Sequence, residues 1–150
     1  MRILIGVDDS RWSQAAIDWV KRIPWPAGTH VTVLSAVRPV VVAYSTADFP
    51  GTGAMVSPDW IEDQHKFHEE VAARCEKQIR DHGVQVSSRV MIGDPREALL
   101  TAAIQERADL IVVGSHGRTG LPKLIMGSVA SHVVTHAPCS VVVARPADRP

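Results

Sequence analysis

A chain of 150 residues lies within the usual range for a single domain, and a domain of this size buries roughly 70% of the surface that its unfolded chain exposes. Its 16 Lys and Arg residues balance its 16 Asp and Glu residues, so the basic excess typical of proteins that bind nucleic acids or anionic membranes is absent, and an anionic ligand has to be held by local groups. No apolar run approaches the roughly 20 residues of a membrane span, and Gly6 and Asp8 interrupt the N-terminal apolar stretch too early for a signal peptide, so the expected location is the cytoplasm.

Short apolar runs of strand type alternate with segments of helical pattern. The helices begin at recognisable caps: Ser10 for a helix that Pro24 ends, Ser57-Pro58 for one that Gly83 ends, and Asp94-Pro95, with Glu97 placed to reach back, for a third. A last helix is predicted from about Ser128 to His136. The residues predicted to face inward from the second helix are Trp60, Phe67, Val71, Cys75 and Ile79. The strands are predicted at Ile3 to Val7, Val31 to Val37, Val84 to Ile92, Leu110 to Val113 and Ser140 to Ala144.

The strict alternation of strands and helices predicts right-handed crossovers and a parallel sheet with helices on both faces. We therefore expect an α/β fold, with one open five-stranded sheet in a single domain over residues 1–150. Polar and apolar residues alternate in Val84 to Ile92, which indicates a strand at the edge of the sheet. Arg38 to Ser57 is rich in Pro, Gly and small polar residues and is predicted to be a mobile loop. Cys75 and Cys139 lack the spacing of a zinc site or disulfide framework and are predicted to be reduced packing residues.

The fourth predicted strand runs directly into a glycine-rich segment, Gly114-Ser115-His116-Gly117, and Gly127-Ser128 follows at a predicted helix start. Glycine lets backbone N–H groups turn toward one point, and a helix start adds unpaired N–H groups and a partial positive charge. These features predict a phosphate-binding loop, to which Arg118 would add a charge and Ser128 a hydroxyl. The spacing is neither that of the common P-loop nor the Gly-x-Gly-x2-Gly of dinucleotide-binding folds.

The chain resembles the universal stress protein family, in its ATP-binding branch. The segment Gly114-x2-Gly117-x9-Gly127-Ser128 is similar to the nucleotide-binding signature of that branch, and the resemblance extends to the opening Ile3 to Ser10, to Gly93-Asp94-Pro95 and to Pro138 to Val143. It implies a Rossmann-like sheet of the adenine nucleotide alpha hydrolase type, with strand order 3-2-1-4-5 and ATP bound where strands 1 and 4 part. Independently, open α/β sheets bind ligands at the carboxyl ends of their strands, at such a switch point.

The resemblance also implies which residues lie near each part of the nucleotide. Asp8 is expected near the ribose or adenine, Ala36 near the adenine through its backbone with Val37 beside it, and Gly114 near the ribose. His116 is expected to shape the loop or to touch the nucleotide. The residues that the resemblance implies at the phosphates are Gly117, Gly127 and Ser128, beside which Arg118 is predicted from its place in the loop. Mg²⁺ is expected to bind through the phosphates.

Simpler interpretations compete for two of these groups. Aspartates between a strand and a helix usually serve as turn residues or caps, so we assign the ligand role to Asp8 and the cap role to Asp9. Gly114 and Gly117 alone could serve a sharp turn, but a turn would not need Gly127-Ser128 at a helix start as well.

The paired histidines also have two interpretations. His132 and His136 lie one helical turn apart and could ligate a metal, but no third ligand is indicated. We therefore favour surface or packing roles for them, and the same for His65 and His68.

The favoured function is a nucleotide-dependent regulatory protein of the stress response, in which ATP changes the loop, the dimer or a partner surface. Phosphoryl transfer needs a positioned base and metal-holding carboxylates, which the loop does not supply, so no catalytic residue is assigned and at most slow ATP hydrolysis is expected. The alternatives are a nucleotide-hydrolysing or adenylating enzyme, and a module that binds a partner without a nucleotide. The resemblance further implies a homodimer through antiparallel pairing of Ser140 to Ala144, an apolar run expected at a sheet edge.

Overall fold

The computed structural model describes residues 1–39, 43–46, 49–54, 58–117 and 126–147. The strands are β1 (Arg2–Val7), β2 (His30–Val37), β3 (Ala43–Thr46), β4 (Phe49–Ala54), β5 (Gln85–Ile92), β6 (Leu110–Gly114) and β7 (Ser140–Ala144). The helices are α1 (Arg11–Arg22), α2 (Pro58–Arg80), α3 (Pro95–Glu106) and α4 (Ser128–His136).

A five-stranded sheet in the order β5-β2-β1-β6-β7 lies at the centre of the fold, and all of its strand pairs are parallel. Counted along the chain within this sheet, the order is 3-2-1-4-5, so the predicted fold class is confirmed. The strands β5 and β7 form its edges, as their sequences indicated. Helices α1 and α2 pack on one face, against Ile5 and Val33, and helices α3 and α4 pack on the other, against Leu4 and Ile111.

The helix starts follow from their caps. Ser10 Oγ accepts a hydrogen bond from Ser13 N at 3.2 Å and so opens α1 as predicted. Asp94 opens α3 by accepting from Arg96 N at 2.9 Å, and the Arg96 guanidinium also binds its carboxylate. Glu97 does not reach back to this cap, since its carboxylate lies 3.1 Å from His132 Nε2 on α4. The predicted cap of α2, Ser57, lies outside the described residues.

The segment 38–57 contains more regular structure than the predicted mobile loop. Strands β3 and β4 pair antiparallel, with Thr46 opposite Phe49 and Ala43 opposite Ala54. The prediction was wrong for these strands because it relied on the Pro and Gly content of the segment. A two-stranded ribbon consists of edge strands, where Pro and Gly are tolerated, so their presence does not exclude pairing.

The cysteines have the packing roles that were predicted. Cys75 lies on α2 and is buried in the core, and burial raises the pKa of its thiol to about 11. Cys139 is partly buried, and both cysteines are free thiols. Across the described ranges, no helix is both long enough and apolar enough to cross a membrane.

The sheet opens a crevice at its carboxyl edge. Strand β1 pairs with β2 as far as Val7 and Ser35, whereas β2 continues beside β5 to Val37 and Ile92. On the other side, β1 pairs with β6 only as far as Ile5, and β6 continues beside β7. The chain therefore leaves room beyond the end of β1, between strands whose connections run to opposite faces of the sheet. This is the switch point at which open α/β sheets bind ligands.

Candidate functional site

A cavity of about 370 Å³ lies at this carboxyl edge, within the range of small-molecule sites. Its floor is formed by the ends of β1, β2 and β6, and its walls come from α2, α3 and the first turn of α4. The polar and glycine residues that line it are Gly6, Asp8, Ser13, Arg38, Gln64, His68, Gly114, His116, Gly117, Gly127 and Ser128.

Most of the predicted site residues meet at this cavity. Asp8, Ala36, Gly114, His116, Gly117, Gly127 and Ser128 all line it. Val37 does not: its side chain is buried in the core, and its carbonyl accepts a hydrogen bond from Gly93 N at 2.8 Å. Arg118 lies outside the described residues.

Asp8 combines two roles that the sequence interpretation had divided between neighbours. Its Oδ1 accepts hydrogen bonds from Ser10 N at 3.0 Å and from Ser10 Oγ at 2.5 Å, which closes the turn into α1. Its Oδ2 lies beside Gly117, where a methyl group built on that glycine would approach it to 3.0 Å. Asp9 is exposed and does not line the cavity. Asp8 is therefore the turn residue and also presents a carboxylate oxygen to the cavity.

The glycines of the predicted loop are needed for different reasons. A Cβ on Gly114 would lie 2.6 Å from the carbonyl atoms of Trp12, and a Cβ on Gly127 would lie 3.0 Å from His116 Cα and 3.1 Å from Ser115 O. Backbone cannot yield as a side chain can, so these two glycines are required by packing whatever the ligand. For Gly117 the single neighbour within 4 Å, among the described residues, is the Asp8 carboxylate oxygen. The turn and ligand interpretations are therefore compatible for Gly114 and Gly127, whereas the described residues give no packing reason for a glycine at position 117.

The first turn of α4 faces the cavity with its backbone. Gly127 is the N-cap and has no side chain to cap the helix, and Ser128, Val129 and Ala130 all line the cavity. The first N–H groups of a helix have no acceptor within the helix and carry part of its positive dipole charge. This wall is therefore suited to an anion.

His116 presents a buried nitrogen without a partner. The side chain is 6% exposed, its Nδ1 lies 3.1 Å from Ser115 Oγ, and its ring packs on Trp12 with 4.7 Å between centroids. Its Nε2 is buried and has no hydrogen-bond partner among the described residues. Leaving such a group unpaired costs about 1–3 kcal/mol, so this nitrogen indicates a ligand or an ordered water.

The residues that α2 contributes to the cavity were missed by the sequence analysis. Trp60, Gln64 and His68 follow one another at intervals of four, which places them on one face of the helix, and all line the cavity. Trp60 had been assigned to the core but is only half-buried. Their common spacing of four residues was the available signal. It was missed because Trp60 was counted with the apolar residues of the helix, such as Phe67 and Val71.

His68 is a buried packing residue. It is 4% exposed, and its Nδ1 lies 2.7 Å from Ser35 Oγ, which donates to Val7 O at 3.1 Å. The bond ties α2 to the ends of β1 and β2. The other histidine of this pair, His65, lies near the surface with its Nδ1 3.3 Å from the carboxylate of Glu69.

The histidines of α4 have the surface or packing roles that were favoured, with His132 partly buried and His136 exposed. The rings of His132 and His136 stack with 4.3 Å between centroids, and His136 Nδ1 lies 2.9 Å from His132 O. His132 Nε2 is 3.1 Å from the Glu97 carboxylate but off the line of a hydrogen bond. Among the residues that the structure describes, no three metal-ligating side chains come together.

Sequence comparison gives a consistent assignment over nearly the whole chain. Residues 1–145 match the profile of the universal stress protein family. The universal stress protein YxiE of Bacillus subtilis is 26% identical, over 96% of this chain and 98% of that protein. Universal stress protein MJ0531 of Methanocaldococcus jannaschii is 34% identical, over 51% of this chain and 45% of that protein. The chain thus aligns with less than half of the second relative and with nearly all of the first.

Solved structures share the fold. UspA of Lactobacillus plantarum has a TM-score of 0.65 and 26% identity, covering 97% of each chain. A universal stress protein family protein of Arabidopsis thaliana with AMP bound has a TM-score of 0.66 and 20% identity, covering 99% of this chain and 94% of that one. The universal stress protein of Archaeoglobus fulgidus in complex with dAMP has a TM-score of 0.64 and 21% identity, covering 97% and 98%. At the identities of these two complexes, the likeness concerns the fold.

Proposed function

This chain belongs to the universal stress protein family, and we propose that it binds ATP in the cavity at the carboxyl edge of its sheet and acts as a nucleotide-dependent regulator of the stress response. The observation that carries the proposal is the buried Nε2 of His116, which has no partner among the described residues and belongs to a side chain that lines the same cavity as the uncapped start of α4. When the Ser115 hydroxyl donates to Nδ1, Nε2 carries the ring proton. A phosphate oxygen would then accept from Nε2 and from the helix N–H groups together.

The phosphates would lie against β6 and α4. Because Gly117 has no side chain, a phosphate can approach its backbone closely. Gly127 is the N-cap of α4, and the exposed Ser128 hydroxyl adds a donor. Arg118 remains a predicted contributor of positive charge. Because proteins with this fold have been solved with AMP and with dAMP, these two nucleotides should be titrated first beside ATP.

The adenine would lie against the end of β2. Val37 O accepts from Gly93 N and therefore points toward β5. Successive residues of a strand direct their backbone groups to opposite neighbours, so the N–H and C=O of Ala36 point to the β1 side. The last pair with β1, Val7 opposite Ser35, uses the Ala36 N–H, so the Ala36 C=O is the group that lies beyond the pairing, and Ala36 lines the cavity. This acceptor matches the N6 amino group of adenine.

Asp8 is the reason for expecting Mg²⁺ with the nucleotide. Its Oδ2 lies beside Gly117, close to where the phosphates are proposed, and two negative groups in proximity repel each other. The described residues form no metal site of three side chains, so Mg²⁺ would enter bound to the phosphates and be shared with at most this carboxylate. ATP titrations should therefore show tighter binding with Mg²⁺ than with a chelator.

The proposal is tested by the melting temperature of nucleotide-stripped protein. A ligand that binds only the folded state adds about 2.7 kcal/mol at a hundredfold excess over its dissociation constant. For a chain of this size, the melting temperature should rise by roughly 5–10 °C. If millimolar ATP, ADP and AMP all leave the melting curve unmoved, the cavity is not a nucleotide site. Mass spectrometry of any small molecule released on denaturation would identify the natural occupant.

Regulation rather than turnover is proposed because Asp8, the one carboxylate that lines the cavity among the described residues, already accepts two hydrogen bonds through Oδ1. Hydrolysis well above background with Mg²⁺, lost in the Asp8→Asn variant, would favour the enzyme alternative.

We also propose a homodimer through β7. This strand is an edge of the sheet, and its residues 141–143 are partly exposed valines. An apolar edge favours pairing with a second copy across a two-fold axis. Light scattering should give the dimer mass at micromolar concentration, and a monomer mass with and without ATP would contradict this.

A further inference from the structure

The first two turns of α2 present two unusual side chains to the base end of the cavity. Trp60 and Gln64 lie one turn apart, and both are half-buried and line the cavity. Helix α2 packs over β2 and β5. Its two side chains therefore share the end of the cavity to which the backbone of Ala36 is turned, opposite the wall formed by α4.

The other tryptophans have partners within the protein. Trp12 packs against the ring of His116, while Trp19 and Trp25 face each other at 5.9 Å. The indole nitrogen of Trp25 donates to Val20 O at 2.8 Å. Within the described ranges, Trp60 has neither an aromatic partner nor an acceptor for its indole N–H.

The same contrast holds for the glutamines of α2. Gln78 exchanges hydrogen bonds with Gln14 of α1, at 2.8 and 3.2 Å. Gln64 has no hydrogen-bond partner in the part of the chain that the structure describes. The ring of Trp60 and the amide of Gln64 are half-buried and line the same cavity. Because neither has a partner among the described residues, both are available to a ligand that has a flat apolar face and a polar edge.

We infer that Trp60 and Gln64 recognise the nucleobase, with Trp60 stacking on its face and Gln64 reading its edge. Stacking on an aromatic side chain tolerates any base. An amide discriminates, because its oxygen accepts from the N6 amino group of adenine while its nitrogen donates to N7, whereas guanine presents two acceptors at the same positions. Trp60 therefore supplies affinity and Gln64 supplies the preference for adenine. The inference rests on the proposed function, since it assigns the base end of the proposed nucleotide site.

The test titrates ATP, GTP and inorganic tripolyphosphate into the intact parent protein and variants by calorimetry. Trp60→Leu should weaken ATP and GTP alike by about 5- to 100-fold and leave tripolyphosphate unchanged. Trp60→Phe should recover most of the loss because it keeps an aromatic face. Gln64→Leu should weaken ATP by roughly tenfold and bring the ATP-to-GTP ratio toward one.

Matched controls come from the partnered residues. Trp25→Leu and Gln78→Leu make the same changes away from the cavity and should leave all affinities at the parent values, with circular dichroism confirming that each variant is folded. If the parent binds ATP, and both Trp60→Leu and Gln64→Leu have the same ATP affinity and the same ATP-to-GTP ratio as the parent, the inference is wrong and the proposed function stands. Equal weakening of tripolyphosphate by Trp60→Leu would also overturn it. A parent that binds neither ATP nor tripolyphosphate overturns the proposed function and this inference together.

Discussion

The two ends of the cavity are built from different parts of the polypeptide. At the β6–α4 end the surface is mostly backbone, from Gly114 through Gly117 to Gly127 and the first turn of α4. At the β2–α2 end it is mostly side chain, including Trp60 and Gln64. A backbone surface is part of the fold, so most changes to it also change stability. A side-chain surface can be altered while the fold remains, which makes it the end at which related proteins can differ in their ligands.

The largest expected effect falls on the backbone end. Gly114→Ala should lower the free energy of unfolding by about 3 kcal/mol, because its Cβ would lie 2.6 Å from the carbonyl atoms of Trp12. Urea denaturation without nucleotide measures this loss. Within the described part of the chain, the matched change Gly117→Ala meets only the end of the Asp8 side chain, so this variant should stay within about 1 kcal/mol of the parent. Equal stability of the two variants would show that the two glycines do not differ in this way.

This difference between the ends also governs how much the sequence could predict. The alternation of strands and helices predicted a parallel sheet with helices on both faces, whereas the strand order was implied by the family resemblance. Gly114, Gly117 and Gly127-Ser128 predicted the end of the cavity at which we propose the phosphates, because glycines at this spacing, with a helix start at the last of them, seldom serve a turn alone. The packing of Gly114 against Trp12 could not be predicted, since it depends on how closely α1 approaches β6.

The base end was not predicted, for a physical reason. A tryptophan and a glutamine on an amphipathic helix are compatible with core and surface positions, and Trp60 was assigned to the core. Only the position of α2 over the end of β2 shows that this turn of the helix faces a cavity.

The strands β3 and β4 were missed because pairing between two edge strands leaves little trace in composition.

Asp8 lies between the two ends and should show an intermediate effect. Asp8→Ala removes the acceptor of two hydrogen bonds from Ser10 and should cost about 1–2 kcal/mol of unfolding free energy. Asp8→Asn keeps an acceptor oxygen and should cost less than half as much. Thermal denaturation of both variants provides the comparison. Equal losses would mean that the charge, and not the turn, is what Asp8 contributes to stability.

The smallest expected effect is a pH dependence at the side-chain end. A hydrogen bond from the Arg96 side chain, with further help from the Arg96 N–H and Arg38, holds the pKa of Asp94 well below its usual range. A lowered pKa in the folded state adds stability above the unfolded pKa of about 3.9, and this stability is lost as the pH falls. The parent should therefore lose part of its advantage over Asp94→Asn between about pH 5 and pH 3. Urea midpoints that differ by a constant amount across this range would contradict the prediction.

The central claim is that the carboxyl-edge cavity is the nucleotide site, and Gly117→Val tests it most directly. Gly127→Val does not serve, because its side chain would meet the backbone of Ser115 and His116, whereas the Asp8 carboxylate is the only group near Gly117 among the described residues. Calorimetric titration of ATP with Mg²⁺ should show affinity at least roughly tenfold weaker than that of the parent, while the unfolding free energy changes by no more than about 1 kcal/mol. A folded Gly117→Val protein that binds ATP as tightly as the parent would contradict the claim.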